Sequence, residues 1–540
     1  MGCIPHISSL LVNMKPGVLK DPALEVWGDL AQSWEVSPDR LTLTMKLHPE
    51  ATWHPRSPAT DGQIPDSVFD RRVDGDDIVA SWDRVLAMGI GRTDLSAAIN
   101  PQAPIETVTS PDAATVVLKL ARPDAGILPT LATYNAGYFY IVPKESRSRR
   151  LDLRRTVIGS GPFYLKAYEP GARIVLGANP GFAARDPMGA GRPFIEERVM
   201  AFHPDTAVGL SQFQAGEIYN WPAAAEQALA LKQQTPALNL ALTSVANFPE
   251  KLLFGFAADS PFRDVRVRQA VSYAIDRDAF AEVTGNVQRF HDAGVPIEVR
   301  WATMMPSSTA GFPGGTYEDY WLDPKRPEFG AASRYFHRNL DEVRKLVSAA
   351  GFPDGLEFEH AYAPPVVFAA SVLRIDRLNQ ILMGAGLRPK AREVDAAEWE
   401  RTFAASKDRG NFNGIATTID SGGPDPAAYA FAHLHQSGLR FGGTNPDGFA
   451  ATDSRAQAGD SFLNERIDSL RIEHDNGKRI EGFNELQRYH AEKVYQMRYP
   501  AGISGVAVAW PALANNFVHV GDLNGAWANV WLDETKAPFT

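Results

Sequence analysis

A chain of 540 residues exceeds what one hydrophobic core organises, so two or three domains are expected. Its 44% hydrophobic and 22% charged residues fit an ordinary globular protein and exclude a disordered or fibrous one. With 54 basic against 64 acidic residues the formal net charge is -10, which disfavours nucleic acid or an anionic membrane surface as partner, since both demand a basic footprint.

A lone cysteine, Cys3, leaves no pair for an internal disulfide. Scarcity of thiols suits an exported bacterial protein, although many cytosolic chains share it. No run of 18 apolar residues exists, so no membrane-spanning helix is expected. The opening MGCIPHISSLLVNMKPG lacks the basic region and long apolar stretch of a secretion signal.

In chain order, DLAQSWEVSPDRLTLTMKL (29–47) pairs a Trp with a strand alternating Leu41, Leu43, Met45 and Leu47. After a Pro- and Gly-rich loop, DGDDIVASWDRVL predicts a helix at about 75–88, with Val79, Trp82, Val85 and Leu86 on one face. Asp74, Asp76 and Asp77 favour its N-terminus through the helix dipole. A strand, ATVVLKL (114–120), comes next, and PDAGILPTLA begins another helix. GSGPFYLKAYEPGARIVLGANPGF (159–182) reads as a β-hairpin, two alternating runs parted by EPGA. TAVGLSQFQAGEI (206–218) has helical period, and KLLFGFA (251–257) is a strand.

PFRDVRVRQAVSYAIDRDAFAEV then predicts one amphipathic helix with Val267, Ala270, Val271 and Ala274 inward. From about 283 to 335 the chain is loop-like, and loops this long in compact domains are usually functional. Helix LDEVRKLVSAAGF (340–352), strand LEFEHAY (356–362), helix ASVLRIDRLNQILMGAGL (370–387) and strand PKAREV (389–394) alternate. That βαβ rhythm implies a sheet with helices on its faces. A helix around 480–496 precedes the apolar AGISGVAVAWPA.

Signatures of catalysis are missing: no G-x-S-x-G, H-E-x-x-H or Walker loop occurs. His433 and His435 in AHLHQ would share a face of a strand and could bind a metal, but a polar surface pair fits better without a third ligand nearby. Glu196–Glu197 and Asp76–Asp77 are adjacent, which would point each pair apart on a strand. Neither a metal nor another cofactor is expected, and the protein is read as a non-enzyme.

Several blocks resemble one family. DLAQSWEVSPDRLTLTMKL with VDGDDIVASWDRV, the 159–182 hairpin, FRDVRVRQAVSYAIDRDAF and NLDEVRKLVSAAGFPDG are collinear with segments of extracytoplasmic solute-binding proteins of family 5, the dipeptide- and oligopeptide-binding kind of ABC transporters. The likeness covers roughly residues 10 to 535. It implies an α/β, bilobal periplasmic-binding-protein-like fold whose hinged lobes enclose a ligand in a cleft. Residues 1–30, 159–247 and 501–540 would form lobe I, 31–158 its accessory domain, and 248–500 lobe II. Family members carry a signal and a first strand before the block matching SSLLVNMKPG, so a start placed too far downstream is expected.

The resemblance also implies site residues. Peptide-binding members hold the ligand's ammonium with an Asp, and GIATTIDSGGPDPAAY places Asp420 there, with Thr418 just before it. An Asx-turn before Ser421 explains Asp420 equally well, and Asp425 reads as a cap. The Trp that normally precedes this Asp is missing, and APPVVFAAS offers Val366, Val367 and Phe368 where dipeptide binders place an Arg. A free dipeptide is therefore disfavoured against a longer peptide or an apolar or sugar-like ligand. Trp301, Tyr317, Tyr320, Trp321, Tyr362 and Trp399 are candidate ring contacts, each weighed against ordinary packing. Arg266 and Arg268 read as structural.

Expected partners are a small-molecule or peptide ligand and the permease subunits of an ABC transporter, with no nucleic acid and only peripheral membrane contact. The protein is expected to act outside the cytoplasm as a monomer. The alternatives are a non-peptide solute, such as an oligosaccharide or opine, or a sensory binding module.

Overall fold

The computed structural model describes every residue except 1–3, 16–24, 89–90, 133–138, 149–150, 187, 204, 244–249, 296, 306–317, 364–370, 404–408, 420–424, 439, 444–458, 500–504 and 517–525. The chain divides into two compact units. One comprises Met1–Ala241, Phe312–Gly315 and Ala507–Thr540, the other Leu242–Gly311 and Thr316–Val506.

In the first unit, strands β1 (Ala31–Val36), β2 (Thr42–Leu47), β3 (Ile105–Asp112) and β4 (Thr115–Leu120) form an antiparallel sheet in the order β1-β2-β4-β3. The alternation along β2 decides its orientation. Leu43, Met45 and Leu47 are buried while Lys46 is exposed, as the two-residue period of a strand requires. Leu43 faces Leu118 and Met45 faces Val116 across the β2–β4 pair. Helix α1 (Gly75–Met88) lays Ile78, Trp82 and Val85 into the same core. Ile78, not the expected Val79, is its innermost aliphatic residue.

Asp76 and Asp77 separate in function at the start of α1. Asp76 is largely exposed, whereas Asp77 is fully buried. Its carboxylate accepts from both terminal nitrogens of Arg71 (3.0 and 2.9 Å), from the backbone N–H groups of Asp74 and Lys144 (2.9 Å each), and from Trp53 Nε1 (3.3 Å). A buried charge survives only when so thoroughly satisfied.

A second sheet of this unit is β5 (Phe163–Glu169), β6 (Arg173–Ala178) and β7 (Glu197–Ala201), antiparallel throughout. The predicted hairpin is its first half, closed by Ala172 N–H donating to Glu169 O, with Gly171 at φ 74°. Arg185, just beyond, is buried and reaches across the unit. It pairs with the Asp29 carboxylate and donates to Asp29 O (2.8 Å), Ser9 Oγ (2.7 Å) and Ser160 O (2.6 Å).

The second unit holds, in order, β8 (Glu250–Phe254), α2 (Val265–Ala274), α3 (Arg277–Gly285), α4 (Leu340–Ala349), β9 (Leu356–Tyr362), α5 (Ser371–Gly384), β10 (Leu387–Glu393), β11 (Ile415–Ile419), α6 (Pro426–Leu434), α7 (Ser461–Ile472), α8 (Asn476–Lys493) and β12 (Gln496–Arg498). Its sheet runs β10-β9-β11-β8-β12. β9 lies parallel to β10 and β11, while β8 is antiparallel to β11 and β12. The helix between β9 and β10 is the crossover that a parallel pair demands.

Three expectations need correction here. The helix predicted from 261 onward is two, because Ile275 is extended and Asp276 caps a new helix by accepting from Ala279 N–H at 3.0 Å. The loop-like stretch contains a helix at Val287–Asp292 and 3₁₀ turns at Glu318–Tyr320 and Pro327–Phe336. In the last, Phe329, Ala332 and Tyr335 are buried at a spacing of three, a period masked in the sequence by Pro327 and the left-handed Gly330. Finally, His433 is in α6 and His435 follows it, so they do not share a strand face. Both are buried, not a surface pair.

Candidate ligand-binding site

The candidate residues all belong to the second unit. β11 brings Thr418 opposite Lys251 of β8, and Lys251 in turn faces Arg498 of β12. Residues paired across strands project to the same side, so these three form a row on one sheet face. Thr418 Oγ1 accepts from Arg409 Nη2 at 3.3 Å. Lys251 Nζ donates to Gln496 Oε1 at 2.8 Å and meets His433 Nδ1 at 3.0 Å. The lysine is completely buried.

Two residues before Thr418 on β11, and two after Lys251 on antiparallel β8, the same face turns apolar. Leu253, Ala361 and Ala416 pack there with Ala363, Val394, Trp399 and Phe403. Trp399 stacks on Phe403 at 5.3 Å between ring centroids and is 6% exposed. Thus Thr418 and Trp399 belong to the polar and apolar halves of one surface. Asp420 follows Thr418 by two positions and lies outside the described residues, as do Val366, Val367 and Phe368.

The opposite face carries a buried chain of hydrogen bonds that the sequence did not disclose. His360 Nδ1 is 2.6 Å from Asn379 Oδ1, His360 Nε2 is 2.7 Å from Thr417 Oγ1, and Thr417 Oγ1 is 2.6 Å from Tyr499 Oη. With Asn379 presenting its oxygen, His360 must carry its proton on Nδ1 and accept from Thr417 at Nε2. Burial lowers the His360 pKa to about 4, so the ring is neutral. The only advance signal was a polar residue at an inward position of LEFEHAY. Tyr362 ends β9 beside Thr417 and Glu393 and is half-buried. Burial raises its phenol, helped by the nearby Glu393 and Asp376 charges.

Trp301 and Trp321 form a separate group. Trp301 donates its indole N–H to Asp278 at 2.8 Å and packs with Phe329, Ala332, Phe336 and Ala491. Trp321 donates to the Trp301 carbonyl at 3.1 Å and lies beneath Arg300, 5.1 Å from the ring centroid. Tyr320 is buried with its ring edge-on to Phe483, while Tyr317 lies outside the described residues. The structure therefore places Thr418 and Trp399 on one face of the sheet, Tyr362 on the opposite face with Thr417 and His360, and Trp301 with Trp321 elsewhere in the unit.

Asp425 is the cap of α6, accepting from Ala427 and Ala428 N–H at 2.8 and 2.9 Å. Arg268 donates to the carbonyls of Phe262, Arg263, Lys493 and Val494, and Arg266 to Ala349 O. Both arginines tie segments of the unit together. Among the described residues no group of three His, Cys, Asp or Glu could hold a metal ion, and no helix is long and apolar enough to cross a membrane.

Comparison with known proteins agrees with this architecture. Residues 25–440 match the family model for bacterial extracellular solute-binding proteins, family 5 Middle. The dipeptide-binding protein of Escherichia coli is 27% identical over 314 residues, 56% of this chain and 54% of that protein. The chain spans about half the length of the curated relatives it matches. DppA from Helicobacter pylori, solved in complex with the peptide STSA, is 15% identical with a TM-score of 0.69, covering 98% of this chain and 92% of that one. AgaA from A. tumefaciens R10, solved in complex with agropinic acid, is 18% identical with a TM-score of 0.66, covering 98% and 93%. The fold is the α/β fold of periplasmic binding proteins, and the chain belongs to the bacterial extracellular solute-binding proteins of family 5.

Proposed function

We propose that the protein is the substrate-binding component of an ABC-type importer. It captures a peptide or peptide-like solute outside the cytoplasmic membrane and passes it unchanged to the permease subunits. The observation that carries this reading is the family match over residues 25–440. A dipeptide-binding relative over half the chain supports the solute class.

In this reading Asp420 meets the ligand's ammonium group, because a charge-assisted hydrogen bond is about twice as strong as a neutral one. Thr418 adds a polar contact, and Tyr362, Trp399, Trp301 and Trp321 offer ring faces to side chains. The protein acts as a monomer, without nucleic acid or cofactor.

A second reading, a non-peptide solute such as an opine, draws support from APPVVFAAS, which has no cation for a dipeptide's carboxylate. AgaA, with agropinic acid, shares the fold.

Thermal-shift screening against di- to pentapeptides, oligosaccharides and opines separates the two. Peptides that raise the melting temperature support the first reading. A response confined to sugars or opines replaces it with the second, and turnover of any compound overturns both.

A further inference from the structure

Two guanidinium groups lie wholly inside the second unit with no carboxylate at ion-pair distance among the described residues. Arg277 is 4% exposed and donates only to neutral oxygens: Ser272 O at 3.3 Å, Ser272 Oγ at 2.8 Å and the Phe336 carbonyl. Arg268 is 1% exposed and donates only to the four carbonyls named above. Burial pulls Arg277 down to about 9 and Arg268 to about 10. His490 feels the same field. Burial first, then the charges of Arg268 and Lys251, lower it to about 3, so it stays neutral.

Beside Arg277 is a cavity of about 20 Å³, more than the minimum for one water and room for a single small occupant. Its polar wall is Ser272, Arg277, Thr303, His490, Gln496 and Arg498, and no acidic residue lines it. Gln496 Nε2 and His490 Nε2 are buried there without a hydrogen-bond partner. The other end of the Gln496 amide is already engaged, since Oε1 accepts from Lys251. Its NH₂ is therefore the end left to serve the cavity.

We propose that this cavity binds one small monovalent anion, chloride, held by the Gln496 amide and the Arg277 guanidinium. Three features converge on an anion. The wall offers N–H donors and no carboxylate, the amide has a donor to spare, and Arg277, which lines the cavity, donates only to neutral oxygens. A water molecule would satisfy the amide but bring no charge to offset Arg277, whose burial is costly without one. The proposal is independent of the transported ligand.

A ligand bound only by the folded state raises the melting temperature with its concentration. The full-length protein is therefore melted in sodium chloride and in sodium gluconate at equal ionic strength, and its crystals are soaked in bromide. The expected results are a melting temperature that climbs with chloride to a plateau and a bromide anomalous peak within hydrogen-bond distance of Gln496 Nε2. Ala302→Val, which narrows the cavity, abolishes the chloride response. Equal melting temperatures of the unaltered protein in the two salts overturn the proposal, as does an ordered water in place of bromide. A bromide peak with no effect in solution marks an adventitious ion only and also overturns it. A chloride response that persists in Ala302→Val places the ion elsewhere and does the same.

Discussion

Lys251 Nζ lies 3.0 Å from His433 Nδ1, both residues enclosed in the second unit at 0% and 1% exposure. A lysine only donates, so His433 accepts at Nδ1 and keeps its proton on Nε2. Hydrogen bonds to charged groups contribute about 1.5–3 kcal/mol each. His433→Ala is expected to lower the unfolding free energy by at least that amount in urea titrations. His433→Gln, which returns an acceptor to the ammonium, recovers part of the loss. Equal stability of His433→Ala and the unaltered protein would remove the contact from the fold's energetics.

Acid should destabilise the protein through its buried histidines. Unfolded imidazole titrates near 6.5, whereas burial lowers His360 to about 4 and His6, His54 and His490 to about 3. The unfolded chain thus binds more protons between those values, so stability is complete above pH 6.5 and falls as pH drops through the window toward 4 and 3. When fully protonated, His360 withdraws up to about 3 kcal/mol and each of the other three up to about 5 kcal/mol. Unfolding at pH 5 should take up about four protons, measured from the pH dependence of urea stability. His360→Gln should reduce that uptake by about one. A flat profile from pH 7 to 4.5 would contradict the buried neutral rings.

What was legible in the sequence was whatever a local period records. The alternation of Leu43, Met45 and Leu47, the 159–182 hairpin and the acidic start of α1 all answer to neighbours a few residues away. The α2–α3 break was harder, because the apolar period continues across Ile275 while the Asp276 cap interrupts the backbone. Least legible were contacts over long sequence separations. His360 meets Thr417 57 positions later, and Lys251 meets His433 182 positions later. No window of sequence contains both partners. Thr418 and Trp399 meet on one sheet face, and Tyr362 falls on the other, only through strand pairing and packing between segments far apart in the chain.

Asp77 predicts behaviour confined to the first unit. Its carboxylate collects Arg71, Trp53 and two backbone donors in full burial. Arg71 keeps Glu145 and Asp74 as partners, so the cost of losing Asp77 falls on the Trp53, Asp74 and Lys144 N–H donors, about 1–3 kcal/mol for each left unsatisfied. Asp77→Ala should therefore shift the unfolding transition of the first unit to lower urea while the second unit, with its own core, melts as before. Asp77→Asn, which turns an N–H toward Arg71, should lie between the two. Limited proteolysis across a urea series resolves the units. A single shifted transition for both would show that they unfold together.

Trp399 and Asp420 separate stability from ligand binding. Trp399 is 6% exposed and stacked on Phe403 within the cluster of Leu253, Ala361 and Ala416. Truncating a buried Trp costs about 3–5 kcal/mol of stability regardless of any role toward ligand. Asp420→Ala, under the proposed function, should weaken an amine-bearing ligand by about 1.5–3 kcal/mol, a loss of about tenfold or more in affinity. Calorimetric binding and urea stability are therefore measured on Asp420→Ala, Trp399→Ala and the milder Trp399→Phe. Unchanged binding in Asp420→Ala removes that carboxylate from the site. Weakened binding in Trp399→Phe at undiminished stability assigns the indole to the ligand, whereas stability lost with binding intact leaves it a packing residue.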